Sequence, residues 1–336
     1  MTERRRDSVA VIIAALNASA TIGRAIRSAL SEPEVSQVIV IDDGSSDGTD
    51  AVSLAEDDGS GRLLVERLSV NQGPSAARNH ALSLVTADHI AILDADDLIV
   101  PGRFARLFST PGWDMIADDI LFVSDGTDLD TLEVPGSVGG SRLLDLSAFI
   151  NGCVAQPNGV RSQLGFLKPV IRRTLLDEHC LRYDERVRLG EDFLLYLELL
   201  RRGARFLIVG SVGYVAVERS NSLSARHATA DLRALLEAEQ TFARTLPAHS
   251  SAASAMARRL AETDAKHALR AFLEEKRQAG TIGALLWLMR RPRQWKNVTA
   301  GVASDKLGAV RRRLRPTPVS ALAPRRLLSS GEQAPV

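Results

Sequence analysis

The stretch Ala87-Asp88-His89-Ile90-Ala91-Ile92-Leu93-Asp94-Ala95-Asp96-Asp97-Leu98 decides how this chain is built. Its apolar run, Ile90 to Leu93, reads as a strand buried on both faces, as in a parallel sheet covered by helices. Such a strand cannot hold unpaired carboxylates, because stripping their hydration is costly. Asp94, Asp96 and Asp97 therefore belong past its C-terminal end, where open α/β sheets bind ligands. Hard oxygen donors gathered there suit a divalent cation, Mg²⁺ or Mn²⁺, that keeps substrate phosphates as co-ligands. An Asp-rich turn capping the next helix has the same composition, so the flanking sequence must decide between the two.

On the N-terminal side, strand and helix patterns alternate. Ser8 to Ala14 reads as a strand, and Ala18 to Leu30 as a helix with Ser19 or Thr21 near its start. Val38 to Ile41 is a second buried strand, ending in Asp42-Asp43-Gly44-Ser45-Ser46-Asp47-Gly48. A further helical stretch follows, then a strand from Leu63 to Leu68, the turn Asn71-Gln72-Gly73-Pro74 and a helix from Ser75 to Leu84. Strands separated by helices mean βαβ units, right-handed crossovers and a mainly parallel sheet: the fold class is α/β.

On the C-terminal side, residues 110–165 are irregular, with Gly and Pro scattered from Pro135 to Gly140 and from Gln156 to Gly165. Such a stretch usually carries substrate contacts or a lid. Order returns at Lys168 to Leu176, at a helix around Glu191 to Arg202 stopped by Gly203, and at a strand from Arg205 to Val209. From Ala225 to Gly280, Ala, Leu and Glu recur at helical period with Pro247 interrupting. The expected division is an α/β domain over 1–225, a helical extension over 226–280 and a basic amphipathic tail over 281–336.

The net charge of +1 conceals an asymmetry: from Leu288 onward there are 11 Lys/Arg and 2 Asp/Glu, a net of +9, against −8 over residues 1–287. That split suggests a basic tail meant for an anionic surface. Cys153 and Cys180 form no metal-ligand spacing, which suits a reducing compartment and small core residues. The charged start, Met1 to Asp7, is not a signal peptide, and no run of roughly 18 apolar residues exists to span a bilayer. A cytoplasmic protein is expected.

At three strand ends the same chemistry recurs. Asp42 and Asp43, Arg78 and Asn79, and Asp94, Asp96 and Asp97 would converge along one sheet edge. Carboxylates there accept hydrogen bonds from a base or ribose, and an Arg at a helix start holds a base edge or phosphate. The GxGxxG fingerprint and the Gly-rich Lys-Ser/Thr loop are both missing. A nucleotide held by acidic groups and a metal points to a nucleoside-diphosphate sugar.

In five ordered motifs the chain resembles the family 2 glycosyltransferases of GT-A fold. These are Val11-Ile12-Ile13-Ala14-Ala15-Leu16-Asn17, Val40-Ile41-Asp42-Asp43-Gly44-Ser45-Ser46-Asp47, Asn71-Gln72-Gly73-Pro74-Ser75-Ala76-Ala77-Arg78-Asn79, Leu93-Asp94-Ala95-Asp96-Asp97 and Leu189-Gly190-Glu191-Asp192-Phe193-Leu194-Leu195. Ala14 departs from the proline usual in the family. The resemblance implies that Asp42, Asp43 and Asn17 bind the donor nucleotide, that Arg78 contacts the base or diphosphate, and that Asp94 faces the ribose. It implies a metal on Asp96 with Asp97 close by, and Asp192, paired with Glu191, as catalytic base. A positioned carboxylate suits that work, since an attacking hydroxyl must lose its proton. A first-turn acidic pair stabilised by the helix dipole is the other reading of Glu191-Asp192.

Three further pieces, Ser28-Ala29-Leu30-Ser31-Glu32-Pro33-Glu34-Val35, Leu164-Gly165-Phe166-Leu167-Lys168-Pro169 and Tyr183-Asp184-Glu185, resemble the rhizobial glucosyltransferases of succinoglycan biosynthesis. That likeness implies UDP-glucose as donor, inversion, and a lipid-linked saccharide acceptor at the inner membrane face. Leu285 to Trp295, with Arg290, Arg291 and Arg293, and the later Arg311-Arg312-Arg313-Leu314-Arg315 suit an interfacial segment on anionic lipid rather than nucleic acid. Arg219-Ser220-Asn221-Ser222-Leu223-Ser224 is either a loop closing over the diphosphate or a plain helix cap. His227 reads as a surface histidine before a metal ligand, and Trp113 as a buried side chain before a sugar platform. The rival classes are a nucleotidyltransferase, whose triphosphate loop is absent from Ala14 to Ala20, and a non-catalytic sugar-nucleotide-binding subunit.

Overall fold

The apolar run near the start of the chain forms strand β1 (Val9–Ala15), buried along almost its whole length. The computed structural model describes residues 7–129, 131–136, 140–154, 164–218, 228–303 and 324–328. After β1 come α1 (Ile22–Leu30), β2 (Val35–Asp42), α2 (Thr49–Leu54), β3 (Leu63–Arg67), α3 (Pro74–Leu84) and β4 (His89–Ile92). Then follow β5 (Leu98–Ile99), α4 (Arg103–Phe108), β6 (Met115–Ser124), β7 (Ser141–Leu144), α5 (Leu146–Gly152), β8 (Val170–Arg172) and α6 (Arg173–Glu178). The last elements are α7 (Glu191–Arg201), β9 (Phe206–Glu218), α8 (Thr229–Ala243), α9 (Ser251–Met289) and β10 (Arg325–Arg326).

The sheet order is β3-β2-β1-β4-β8-β6-β9-β5. Strands β1 to β4 are mutually parallel, and β9 lies parallel to β6. The short β8 runs antiparallel to both β4 and β6, so β6 and β9 point the same way as the first four. One edge of the sheet therefore collects the C-terminal ends of β1, β2, β4, β6 and β9, and the expected α/β architecture is what forms.

Two strands exceed their sequence signals. The stretch expected to be irregular contains β6, buried at every position but its last. Asp118 and Asp119 interrupt its apolar pattern, yet both are buried, and each is matched by an arginine. Strand β9 runs on past Val209 through Gly210, Ser211 and Gly213 to Glu218. Gly213 is required there, because a Cβ on it would lie 1.5 Å from Asp118 Oδ2.

In the helical region, α9 packs on α8 and α5. Arg259 of α9 pairs with buried Glu239 of α8 at 2.9 Å and lies 4.9 Å over the Phe193 ring of α7. At Gly280 (φ 69°, ψ −175°) the backbone leaves helical geometry, so α9 bends before its last nine residues. The basic tail does not face outward throughout. Arg325 and Arg326 form β10 against β6, Arg326 Nε donates to Asp119 Oδ2 at 2.6 Å, and Arg325 pairs with Glu218. Trp113 is buried, stacked on Phe108 and covered by Arg172. The segment 219–224, His227 and the run 311–315 lie outside the described residues.

Candidate active site

The floor of the site is made by the turns after β1 and β2. Asn17, with φ 50°, donates its N–H to Ser45 Oγ at 2.8 Å and accepts the Ser46 N–H on Oδ1 at 3.0 Å, so the two turns are tied together. Asp47 accepts from the Thr49 hydroxyl and N–H and from the Ser19 N–H. The Thr49 hydroxyl foremost draws its carboxyl down to about 2. Gly44 (φ 77°) admits the neighbouring turn, since a Cβ there would come within 2.9 Å of the Asn71 nitrogen and the Val70 carbonyl carbon.

The two acids closing β2 differ. Both Asp43 oxygens are engaged, accepting the N–H groups of Gln72 (2.7 Å) and Gly73 (2.8 Å), which shapes the turn into α3. Asp42 is fully buried and accepts the Ser45 N–H on Oδ1 at 2.9 Å. Its Oδ2, 3.6 Å from Arg67 Nε, makes no hydrogen bond among the described residues. A buried acceptor lacking a donor is costly in isolation and suits a ligand that brings an N–H or O–H.

Arg78 projects from α3 into a cluster of acids. Its Nη1 donates to Glu191 Oε1 at 2.5 Å and lies 3.5 Å from Asp192 Oδ1, while Nη2 reaches Asp94 Oδ1 at 3.3 Å. The placement is built. Gly190, in left-handed geometry (φ 74°), starts α7 so that Glu191 and Asp192 occupy its first turn. Asn79 fastens the preceding segment to α3, exchanging hydrogen bonds with the Tyr183 backbone at 2.9 Å in both directions.

Lys168 completes the cluster, a residue the sequence placed in a family-like motif without a role. Its Nζ lies 2.9 Å from Asp94 Oδ2 and 3.3 Å from Asp192 Oδ2, and the residue is buried. Burial works against its charge, but the Asp94 and Asp192 carboxylates outweigh that and keep it an ammonium. Burial likewise pushes the Asp94 carboxyl up, and Lys168 and Arg78 together hold it below the usual range. The signal that identifies Lys168 is pairing rather than spacing: Ala91 faces Val170 across β4 and β8. The residues just before β8 must then run beside those just after β4, which brings Lys168 to Asp94.

The three acids after β4 also part ways. Asp97 turns inward, accepting the Tyr214 hydroxyl at 2.8 Å and the Val217 N–H at 2.9 Å. Burial, with the charges of Asp94 and Asp96, pushes its carboxyl well above the ordinary range. Asp94 is held by Lys168 and Arg78, and Asp96 stays half-buried. Among the described residues no three His, Cys, Asp or Glu side chains close into a metal cage. The hard-oxygen donor set fits the open kind of site, in which one carboxylate and substrate phosphates share the ion.

Residues 10–142 match the family model described as glycosyl transferase family 2. The chain is 42% identical over 322 residues to the succinoglycan biosynthesis protein ExoU of Rhizobium meliloti (strain 1021), covering 95% of this chain and 94% of that one. It is 26% identical over 195 residues to UDP-Glc:alpha-D-GlcNAc-diphosphoundecaprenol beta-1,3-glucosyltransferase WfgD of Escherichia coli, over 57% of this chain and 70% of that one. The crystal structure of S. aureus TarS in complex with UDP matches with a TM-score of 0.56 at 19% identity, over 77% of this chain and 71% of that one. The chain belongs to the family 2 glycosyltransferases, and its fold is of the GT-A type.

Proposed function

We propose that this glycosyltransferase moves glucose from UDP-glucose, with inversion, onto a lipid-linked saccharide during exopolysaccharide assembly. The observation that carries the reading is the Asp192 carboxylate at the first turn of α7, within 3.5 Å of Arg78 and beside Lys168 and Asp94. The acceptor oxygen attacks the anomeric carbon as the bond to the diphosphate breaks, and Asp192 takes the acceptor proton. Asp42, Asn17 and Asp94 bind the nucleotide, Asp43 holds the turn beside it through the Gln72 and Gly73 amides, and Arg78 offsets the charge that grows on the leaving diphosphate. A Mg²⁺ or Mn²⁺ ion held by Asp96 would supply further stabilisation of that charge. The donor and the lipid acceptor rest on the activity for which the E. coli relative is named, and the pathway on the name of the R. meliloti relative.

The same reading divides the chain into a catalytic domain over 1–225, a helical extension over 226–280 and a tail over 281–336. It also places the protein peripherally on the inner membrane face. Beyond Gly280, Ile282, Leu285, Leu286 and Met289 form one exposed stripe, joined by exposed Trp295. No Asp or Glu occurs from Lys276 through Ser304, while Arg290, Arg291, Arg293 and Lys296 do. An exposed apolar stripe with a basic collar suits an anionic bilayer surface. Among the described residues no helix is long and apolar enough to cross one.

The test is UDP release from UDP-glucose by purified protein, with and without Mn²⁺ or Mg²⁺, using membrane extract as acceptor. Release that requires both metal and extract is expected. Absence of UDP-glucose binding and turnover under every condition overturns the donor assignment. Co-sedimentation with vesicles containing phosphatidylglycerol, but not with phosphatidylcholine alone, is the expected result for the tail.

A further inference from the structure

We propose that Lys168 is a donor-sugar-binding residue, its ammonium donating a hydrogen bond to a hydroxyl oxygen of the transferred hexose. The inference rests on the functional reading above, which puts the nucleoside at Asp94 and the acceptor hydroxyl at Asp192. Those two carboxylates then bracket the transferred sugar, and Lys168 Nζ is within 3.3 Å of both. Lys168 therefore stands between the two brackets.

Three observations separate Lys168 from a lysine that merely balances charge. First, it is held in place from behind. Arg103, itself fully buried, engages both Asp118 oxygens at 2.8–3.1 Å and donates Nη2 to the Lys168 carbonyl oxygen at 2.5 Å. The backbone that launches the side chain is therefore anchored to the sheet, which is how a site residue keeps its aim. Second, the cluster is incomplete. Three carboxylates, Asp94, Glu191 and Asp192, face two cations, and Asp192 Oδ1 and Arg78 Nε are buried without a hydrogen-bond partner among the described residues. Third, the cluster opens to the surface at Asp94, whose side chain is 36% exposed, while Lys168, at 9%, lies within it. An ammonium has three N–H donors, and two directions are taken by Asp94 and Asp192. A sugar hydroxyl accepts the third and can itself donate a hydrogen bond to Asp192 Oδ1, which has an ion-pair neighbour in Arg78 but no hydrogen bond among the described residues.

The experiment compares wild type, Lys168→Met and Lys168→Arg on UDP-glucose and on its 2-, 3-, 4- and 6-deoxy analogues, with UDP affinity measured for each protein. For wild type, one deoxy analogue should lose about tenfold to a hundredfold in kcat/KM, the scale of a hydrogen bond to a charged group. Lys168→Met should lose a similar factor on UDP-glucose and become indifferent to that same hydroxyl, with UDP affinity held. Lys168→Arg should recover part of the loss, and it carries the comparison if the Met variant does not bind UDP. Losses that multiply on every analogue, or a Met variant with wild-type kcat/KM, overturn the role of Lys168 alone. Wild type idle on UDP-glucose overturns the donor assignment itself, and the sugar contact with it.

Discussion

Two buried acid–base clusters, one within β6 and one where α7 starts, are built differently. Around Asp119 both carboxylate oxygens are satisfied. Oδ1 takes the N–H groups of Ile120 and Leu328, Oδ2 takes Arg326 Nε, and Arg326 Nη2 donates to the Gly210 carbonyl. One anion meets one cation, and the tail is sewn to β6. Around Asp192, among the described residues, three anions share two cations and two buried polar atoms make no hydrogen bond. Leaving buried groups unmatched is destabilising. Unmatched atoms alone do not mark a site, since Arg103 Nη1 and Glu239 Oε2 are also buried without a hydrogen bond among the described residues; around Asp192 they coincide with acids gathered at the strand ends.

The sharpest way to break this contrast is Asp192→Asn. It should lower turnover about a thousandfold, within the range for loss of a positioned general base, while UDP affinity is kept. Thermal unfolding of the same variant should be unchanged or shifted upward, because removing one of three crowded anions relieves repulsion. A variant that loses stability but not turnover would make Asp192 a structural residue.

Arg326→Ala tests the other cluster in the opposite sense. It strands Asp119, which is fully buried, and should reduce unfolding stability by about 3 kcal/mol, the lower end for a broken buried pair because Arg326 itself is 24% exposed. Turnover per folded molecule should hold, and Asp119→Asn combined with Arg326→Met should restore most of the stability in urea titrations.

Between these lies the Asp94–Asp97 run, where neighbouring acids should separate by role. Asp96→Asn should raise the Mn²⁺ concentration for half-maximal UDP release by at least about tenfold, as loss of even a supporting group does at metal sites. Asp97→Ala should act on melting temperature instead, since it removes the acceptor of Tyr214 and Val217. Equal metal dependence in both variants would erase the distinction.

The smallest effect concerns Asp47, whose carboxyl is depressed from 3.8 to about 2. A depressed carboxyl contributes stability that is present above its unfolded value and is lost as pH falls through the folded one. Acid unfolding between about pH 4 and pH 2 should therefore be steeper for wild type than for Asp47→Asn. Since Asp47 lies near the surface, solvent screening keeps the difference small.

Much of the site was legible because strand ends announce themselves. An apolar run that stops at Asp42 or Asp94 tells where charge leaves the core, and Gly190 before Glu191-Asp192 tells where a helix begins. Strand β6 was not legible, because Asp118 and Asp119 break its pattern and their arginine partners stand 15 and 207 residues away. The two orders of acid were equally hidden. Asp42 and Asp43 are adjacent and chemically identical, yet Asp43 is filled by the Gln72 and Gly73 amides while Asp42 has a buried oxygen with no hydrogen bond among the described residues.

What the chain's order of residues determined alone is the α/β class and the acids gathered at the strand ends, consequences of hydrophobic periodicity and the cost of burying charge. Tertiary structure decided which of those acids are filled by backbone amides, that Lys168 stands between Asp94 and Asp192, and that the basic tail returns to the sheet. Those depend on antiparallel register and long-range pairing, which bring together residues that no local spacing relates.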